Sequence, residues 1–234
     1  MRVLIIYINM DSRKSALLSQ IIKQHIKTAQ PIGSKLVLEK SKIDVSPATV
    51  RNDMATLEKD GYIAQPYTSA GRIPTEKGYK YYLDNFLKFP SLNNKEIKIL
   101  VDTLKKYDEE SLELTAKAMG RRLADLSRCT ILIGFDPDHV YYTGVANLLR
   151  KPEFINPERM YDLGLVIDHL DKVMNQIFDE IDDTVIKIGE NNPFDGKCSV
   201  ILTPFTKGIF GILGPMRMDY EHNLSLINFI KQNV

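Results

Sequence analysis

Residues 46–74, SPATVRNDMATLEKDGYIAQPYTSAGRIP, leave room for few local folds. Ser46 suits an N-cap and Pro47 the first helical position. Val50, Met54 and Leu57 recur at i, i+4 and i+7, so one face of the helix belongs to a core. At about 100° per residue, the opposite face carries Ala48, Asn52, Ala55 and Lys59, with Thr49 and Arg51 on its flanks. That face is small in the middle and rich in donors near its start, which is what a major-groove helix needs. Asn can bond adenine and Arg guanine in bidentate fashion, and Ala or Thr methyls can meet a thymine methyl. The helix should stop at Gly61. Tyr62–Gln65 and Arg72–Pro74 then read as short strands around a Thr68-Ser69-Ala70-Gly71 turn, with Arg72 placed towards a DNA backbone or minor groove. Taken alone, the stretch fits an ordinary amphipathic helix and surface hairpin equally well.

What precedes it narrows the choice. Ser12–Thr28 is a helix with Leu17, Leu18, Ile21, Ile22, His25 and Ile26 in one stripe. Gln30-Pro31-Ile32-Gly33 breaks it, and Ser34 caps a short helix over Lys35–Lys40. Ser41–Val45 is a turn whose Ile43 and Val45 can plug the core beneath the next helix. Helix, short helix, turn, helix, hairpin is the winged helix-turn-helix plan, in which the third helix enters the major groove. Thr75–Leu87 continues as a helix. Its Tyr79, Tyr81, Tyr82 and Phe86 fit packing against the hairpin or a partner subunit better than base stacking. Phe89-Pro90-Ser91 is the clearest break. The expected division is an N-terminal extension over 1–10, a winged helix-turn-helix domain over 11–89 and a second domain over 90–234.

Charge follows that division. Residues 1–90 hold 14 Lys and Arg against 8 Asp and Glu, and residues 91–234 hold 17 against 22. A basic head on an acidic body suits DNA binding by the head. The two cysteines, Cys129 and Cys198, sit in apolar strand-like runs and read as buried thiols of a cytoplasmic protein. His25 reads as packed rather than ligating, and no metal-ligand spacing occurs. The opening MRVLIIYINM is too short to span a membrane and reads as an edge strand or a tail, not a signal peptide, with Met10 as an alternative start.

In the second domain, Glu96–Lys106 is helical. Ser111–Arg128 carries Leu112, Ala116, Met119, Leu123 and Leu126, a seam for its own domain or for a helix-to-helix dimer contact. Strand-like runs follow at Thr130–Phe135, Val140–Thr143, Thr184–Ile188, Ser199–Pro204 and Gly208–Leu213. A helical segment over Asn156–Ile181 interrupts them, and a last helix covers about Asp219–Gln232. The pattern predicts an α+β body with a mostly antiparallel sheet. Gly189-Glu190-Asn191-Asn192 reads as a turn. No phosphate loop, nucleophile–base pair or paired carboxylates can be argued from spacing, so neither an enzyme nor a cofactor is expected.

Two dense blocks carry a resemblance. One joins Gly33-Ser34-Lys35 to SPATVRNDMATLEKDGYIAQPYTSAGRIPTEKGYKYYLD. The other runs YTGVANLLRKPEF, VIKIGENN and GILGPMRMDY. In these blocks the chain resembles the heat-inducible transcription repressors of the HrcA family. The resemblance implies a repressor of chaperone operons that binds an inverted-repeat operator in double-stranded DNA as a homodimer, with the chaperonin GroEL helping to keep it active. It implies a GAF-like second domain, and DNA contact at Ser46, Thr49, Arg51, Asn52, Ser69, Gly71 and Arg72. The chain departs from the family between Thr130 and Tyr141, where only one short strand and Asp136-Pro137-Asp138 stand. The family places there much of a GAF-like half-sheet and an inserted dimerising domain. The expected body is therefore a reduced GAF-like domain with flanking helices, pairing through the Ser111–Arg128 helix, the C-terminal helix or both. A winged-helix regulator whose GAF-like body senses a small ligand is the alternative; it would need an enclosed pocket with convergent polar groups.

Overall fold

A computed structural model describes residues 10–40, 45–106, 112–206 and 208–234. The expectations for the first nine residues, for Ile43 and most of its turn, and for Ser111 lie outside the described residues. The chain divides into two compact units, Met1–Leu87 and Lys88–Val234.

In the first unit, α1 (Ser12–Thr28) begins where the Asp11 carboxylate accepts the Arg13 backbone N–H at 2.9 Å. Leu17, Leu18, Ile21 and Ile22 are buried, each burial stabilising by roughly 1.5–3 kcal/mol. The short α2 (Ser34–Lys40) buries Val37. Next comes α3 (Pro47–Lys59), capped by the Ser46 hydroxyl, which accepts the Thr49 N–H at 3.1 Å. Val50, Met54 and Leu57 are buried, as their spacing requires. The helix ends in a Schellman arrangement. Gly61 N–H donates to the Glu58 carbonyl and Tyr62 N–H to that of Leu57, both at 2.9 Å. Gly61 takes φ +77° there, a conformation that suits glycine.

Strands β1 (Ile63–Ala64) and β2 (Ile73–Pro74) pair antiparallel, with Ile63 opposite Pro74. The turn above them differs from the sequence expectation by one residue. Ala70 N–H donates to the Tyr67 carbonyl at 3.0 Å, so the turn spans Tyr67–Ala70 with Ser69 at φ +69°. Gly71 serves elsewhere. Ile32 and Arg72 form an antiparallel bridge, exchanging N–H···O bonds of 2.8 and 2.9 Å. A Cβ on Gly71 would lie 2.5 Å from the Ile32 carbonyl carbon, so only glycine allows this approach.

The unit closes with α4 (Glu76–Phe86), whose Tyr79, Tyr81 and Tyr82 are buried. Tyr79 Oη lies 2.7 Å from His25 Nδ1, and Tyr81 Oη lies 2.9 Å from Ser15 Oγ, both on α1. The Tyr81 ring meets Tyr62 edge-on at 5.5 Å. Tyr79 and Tyr81 thus bind α4 to α1 and to the hairpin base, and His25 is packed as expected.

The second unit starts with α5 (Asn94–Leu104), opened by a capping box between Asn93 and Glu96, then α6 (Leu112–Ser127). β3 (Thr130–Asp136) and β4 (His139–Thr143) form a hairpin. A helical stretch follows: α7 (Val145–Leu149), a 3-10 turn at Pro152–Phe154, α8 (Pro157–Asp168), α9 (Leu170–Ile177) and a 3-10 turn at Phe178–Glu180. β5 (Val185–Ile188), β6 (Cys198–Phe205) and β7 (Gly208–Pro215) complete one antiparallel sheet of order β4-β3-β7-β6-β5, and α10 (Tyr220–Asn233) ends the chain. All five strands lie where the sequence runs place them. The helical segment expected over Asn156–Ile181 is divided at His169 into α8 and α9.

The sheet is covered on both faces. Leu132, Val200, Leu202, Ile209 and Leu213 share one cluster with Leu163 of α8 and Leu170 and Met174 of α9. On the other face α6 packs on β3 and α10 on β6, burying Ile131, Ile133, Ile201 and Ile212 between them. This is why the central strands read as continuous apolar runs rather than alternating ones. Ala116, Met119 and Leu123 of α6, and Leu226, Ile227 and Ile230 of α10, are fully buried within their own unit, whereas Leu112 and Leu114 at the start of α6 are 40% and 56% exposed.

Candidate nucleic-acid interface

Ala48, Arg51, Asn52, Ala55 and Lys59 are all exposed on the face of α3 opposite Val50, Met54 and Leu57. At the helix start, Ser46 Oγ lies 2.9 Å from Thr49 Oγ1 as well as accepting the Thr49 N–H. Two hydroxyls therefore share one end of α3, where Pro47 carries no N–H and the Thr49 and Val50 N–H groups are both taken by Ser46.

Both acidic residues of α3 are paired with arginines, which spacing could not reveal. Asp53 is buried, and Arg13 of α1 donates to it twice, from Nε at 2.7 Å and Nη2 at 3.1 Å. These hydrogen bonds, with the carboxylate's charge, push the Arg13 pKa further up and keep the guanidinium charged. Glu58 takes Arg72, whose Nε donates to Oε2 at 2.8 Å and whose Nη1 donates to the Ala70 carbonyl at 3.3 Å. The exposed face thus presents Arg51 and Lys59 without a carboxylate among its five residues.

The seven residues named from sequence fall into two groups. Ser46, Thr49, Arg51 and Asn52 occupy the start and exposed face of α3. Ser69, Gly71 and Arg72 belong to the hairpin, where Ser69 is exposed at the turn. Gly71 serves the bridge to Ile32, and Arg72 ties the hairpin to α3 through Glu58. Their geometry gives these last two a local structural reason that the motif alone did not suggest. Sequence reasoning missed Arg13, Asp53 and Glu58. The only trace is an Arg at the start of one helix and an Asp on the flank of another.

In the second unit, a groove of about 500 Å³ is lined by Thr103, Lys106, Arg121, Arg122, Asp125 and Asn147, among others, and opens to solvent. It is not the enclosed pocket that the ligand-sensing alternative calls for. Cys129 and Cys198 are buried and unbridged. Among the described residues no helix is long and apolar enough to cross a membrane, and no His, Cys, Asp or Glu group is arranged to hold a metal.

Comparison with known proteins bears on both units. The family model described as HrcA protein C terminal domain matches residues 82–223. A heat-inducible transcription repressor HrcA of Acetivibrio thermocellus is 28% identical over 334 aligned positions, covering 96% of this chain and 95% of that protein. That alignment exceeds the 234 residues of this chain, so at least 100 positions of the relative have no counterpart here. A repressor of the same name from Thermobifida fusca is 34% identical over 181 positions, covering 76% of this chain and 50% of that protein. A crystal structure of a hypothetical protein at 2.2 Å resolution matches 96% of this chain and 97% of its own, with a TM-score of 0.74 and 20% identity. That likeness is one of fold.

Proposed function

The chain belongs to the HrcA family, whose relatives are named as transcription repressors and not as enzymes, and on that premise we propose that it represses heat-shock genes by binding operator DNA through its first unit. In this reading the unit is a winged helix-turn-helix, α3 is the recognition helix, and the β1–β2 hairpin is the wing. One observation carries the proposal: α3 turns Ala48, Arg51, Asn52, Ala55 and Lys59 to solvent while Arg13 and Arg72 pair with its two carboxylates. The surface left is small, basic and rich in donors, which is what a phosphate-lined groove attracts.

The roles follow from position. Ser46 and Thr49 meet phosphates through their hydroxyls at the start of α3. Arg51 and Asn52 read base edges. Ser69 and the Gly71 backbone approach the DNA from the wing, and Arg72 holds the wing at its angle through Glu58. The operator is an inverted repeat, because one small head reads few base pairs and a symmetric pair doubles the contacts. The controlled genes are chaperone operons, and the chaperonin GroEL maintains the active fraction. The second unit is a reduced GAF-like regulatory and pairing domain. The positions missing relative to the family are its inserted dimerising domain, and the protein works in the cytoplasm.

Selection of bound fragments from a random double-stranded pool tests this reading. We expect an enriched inverted repeat whose half-sites lie about one or two helical turns apart. A pool that shows no sequence enrichment after repeated rounds would overturn the proposal.

A further inference from the structure

The β1–β2 hairpin ends in an exposed tip, Gln65-Pro66-Tyr67-Thr68-Ser69. Its tyrosine is unlike the others described in the same unit. Tyr62, Tyr79, Tyr81 and Tyr82 are no more than 6% exposed, whereas Tyr67 is 67% exposed. The tip that carries it is braced. Ala70 N–H donates to the Tyr67 carbonyl at 3.0 Å, and the Ala70 carbonyl accepts Gln65 Nε2 at 3.1 Å and Arg72 Nη1 at 3.3 Å. Through Nε the same arginine holds Glu58 of α3 at 2.8 Å. The ring is therefore presented on a turn that is tied to α3, and little ordering remains to be done when it meets a partner.

Charge limits what such a tip can do on DNA. Arg72 is the only charged residue in 63–74, and Glu58 occupies it. The tip has no cation for a phosphate. It offers one aromatic ring and the hydroxyls of Tyr67, Thr68 and Ser69. A neutral tip gains little from counterion release, and its contacts have to be apolar or hydrogen-bonded ones made within a groove.

We propose that Tyr67 is a specificity-determining residue, which enters the minor groove beside the site read by α3 and selects A·T pairs there. This rests on the operator reading above. The flat ring lies against the sugar walls of the groove, and its hydroxyl donates to adenine N3 or thymine O2. Those acceptors are all that an A·T pair shows in the minor groove. A G·C pair adds the guanine N2 amino group, which obstructs the ring and sets a donor against the hydroxyl.

Parallel selections from a random double-stranded pool, with the full wild-type chain and with Tyr67→Ala, test the assignment. Both chains should enrich the same half-sites, and only the wild type should enrich A·T pairs at fixed positions beside them. On the duplex that the wild type enriches, Tyr67→Ala should bind about tenfold more weakly. The slope of log affinity against log salt should not change, since no phosphate contact is lost. The melting temperature should hold as well, because the turn uses the backbone of Tyr67 and not its side chain. Exchanging the flanking A·T pairs for G·C should weaken the wild type by a similar factor. Exchanging them for inosine·C should not, because inosine lacks the N2 amino group and keeps the major-groove edge of guanine. Tyr67→Ala should be indifferent to both exchanges.

Equal flanking preferences in the two selections would overturn the proposal. So would inosine·C flanks that weaken the wild type as much as G·C flanks, or a flatter salt slope in Tyr67→Ala, which would mark a phosphate contact instead. Enriched half-sites with no flanking preference remove this inference and leave the operator reading standing. A wild-type chain that enriches no sequence removes both.

Discussion

Arg51 and Asn52 are adjacent in sequence and exposed on α3, and their contributions to binding can be separated. If each reads one base edge as proposed, Arg51→Ala and Asn52→Ala should each cost ~1–3 kcal/mol on the preferred operator. Specificity should relax at one base position per half-site. Titration of operator variants reads this directly, and a variant that binds every operator as well as the parent does would remove that residue from base readout. Cys129 gives a residue-scale prediction about stability. Burial pushes its thiol from the ordinary 9.0 up to about 11. The unfolded chain therefore loses the proton at lower pH than the folded one. The contribution is fully present below pH 9.0 and is lost as pH rises towards about 11. Urea midpoints should fall across that window, and Cys129→Ala should flatten the decline while lowering stability overall. The buried thiol should also resist alkylation at neutral pH until the protein is denatured.

At the scale of elements, the β1–β2 hairpin depends on one backbone approach. Gly71→Ala would place a methyl 2.5 Å from the Ile32 carbonyl carbon, and backbone on both sides cannot yield cheaply. The Ile32–Arg72 bridge should open, at a cost of ~1–3 kcal/mol, and faster hydrogen exchange at the Ile32 and Arg72 amides should report it. Operator affinity should drop as well, because a displaced Arg72 no longer draws Glu58 from the α3 surface. Normal exchange at both amides would mean that the bridge does not need glycine. The helices of this unit were legible because caps, spacing and stop signals are local: Ser46, Pro47 and Gly61 bound α3 without reference to the rest of the chain. The bridge was not legible, since nothing in the sequence around Ile32 announces a strand. The same reason explains α6. Its spacing shows an apolar face and cannot say whether a sheet or a second molecule lies against it.

For the whole molecule, a heat response under the proposed function has to act on a second unit that buries both faces of its sheet. A domain of this size is stabilised by only ~5–15 kcal/mol, so modest heating populates misfolded chains. In a purified system we expect GroEL with ATP to raise the operator-bound fraction recovered after a brief heat pulse. An equal fraction with and without GroEL would place the heat response in the repressor itself. The Asp136-Pro137-Asp138 link has a direct structural counterpart: β3 and β4 are neighbours in a closed hairpin, with Asp138 N–H donating to Asp136 Oδ1 at 2.9 Å. Asn175 of α9 also donates to the Pro137 carbonyl at 3.2 Å and so fastens the turn to the helices. The chain crosses this point with no room for a further domain.

By itself the sequence determined the local elements and the exposed face of α3. Helix caps, 3.6-residue periodicity and β-rich runs act over a few residues, and they sufficed to place α1, α3, α10 and all five strands of the large sheet. Tertiary structure alone decided which surfaces stay open. Arg13 reaches Asp53 across 40 residues and Arg72 reaches Glu58 across 14, clearing acidic charge from the α3 face. The sheet takes up Ala116, Met119 and Leu123 of α6, Leu226, Ile227 and Ile230 of α10 and Leu163 of α8, and leaves Leu112 and Leu114 of α6 and Met160, Tyr161 and Leu165 of α8 in solvent. Such pairings follow from how the chain closes on itself, because an apolar stripe looks the same whether its own domain or a second copy covers it.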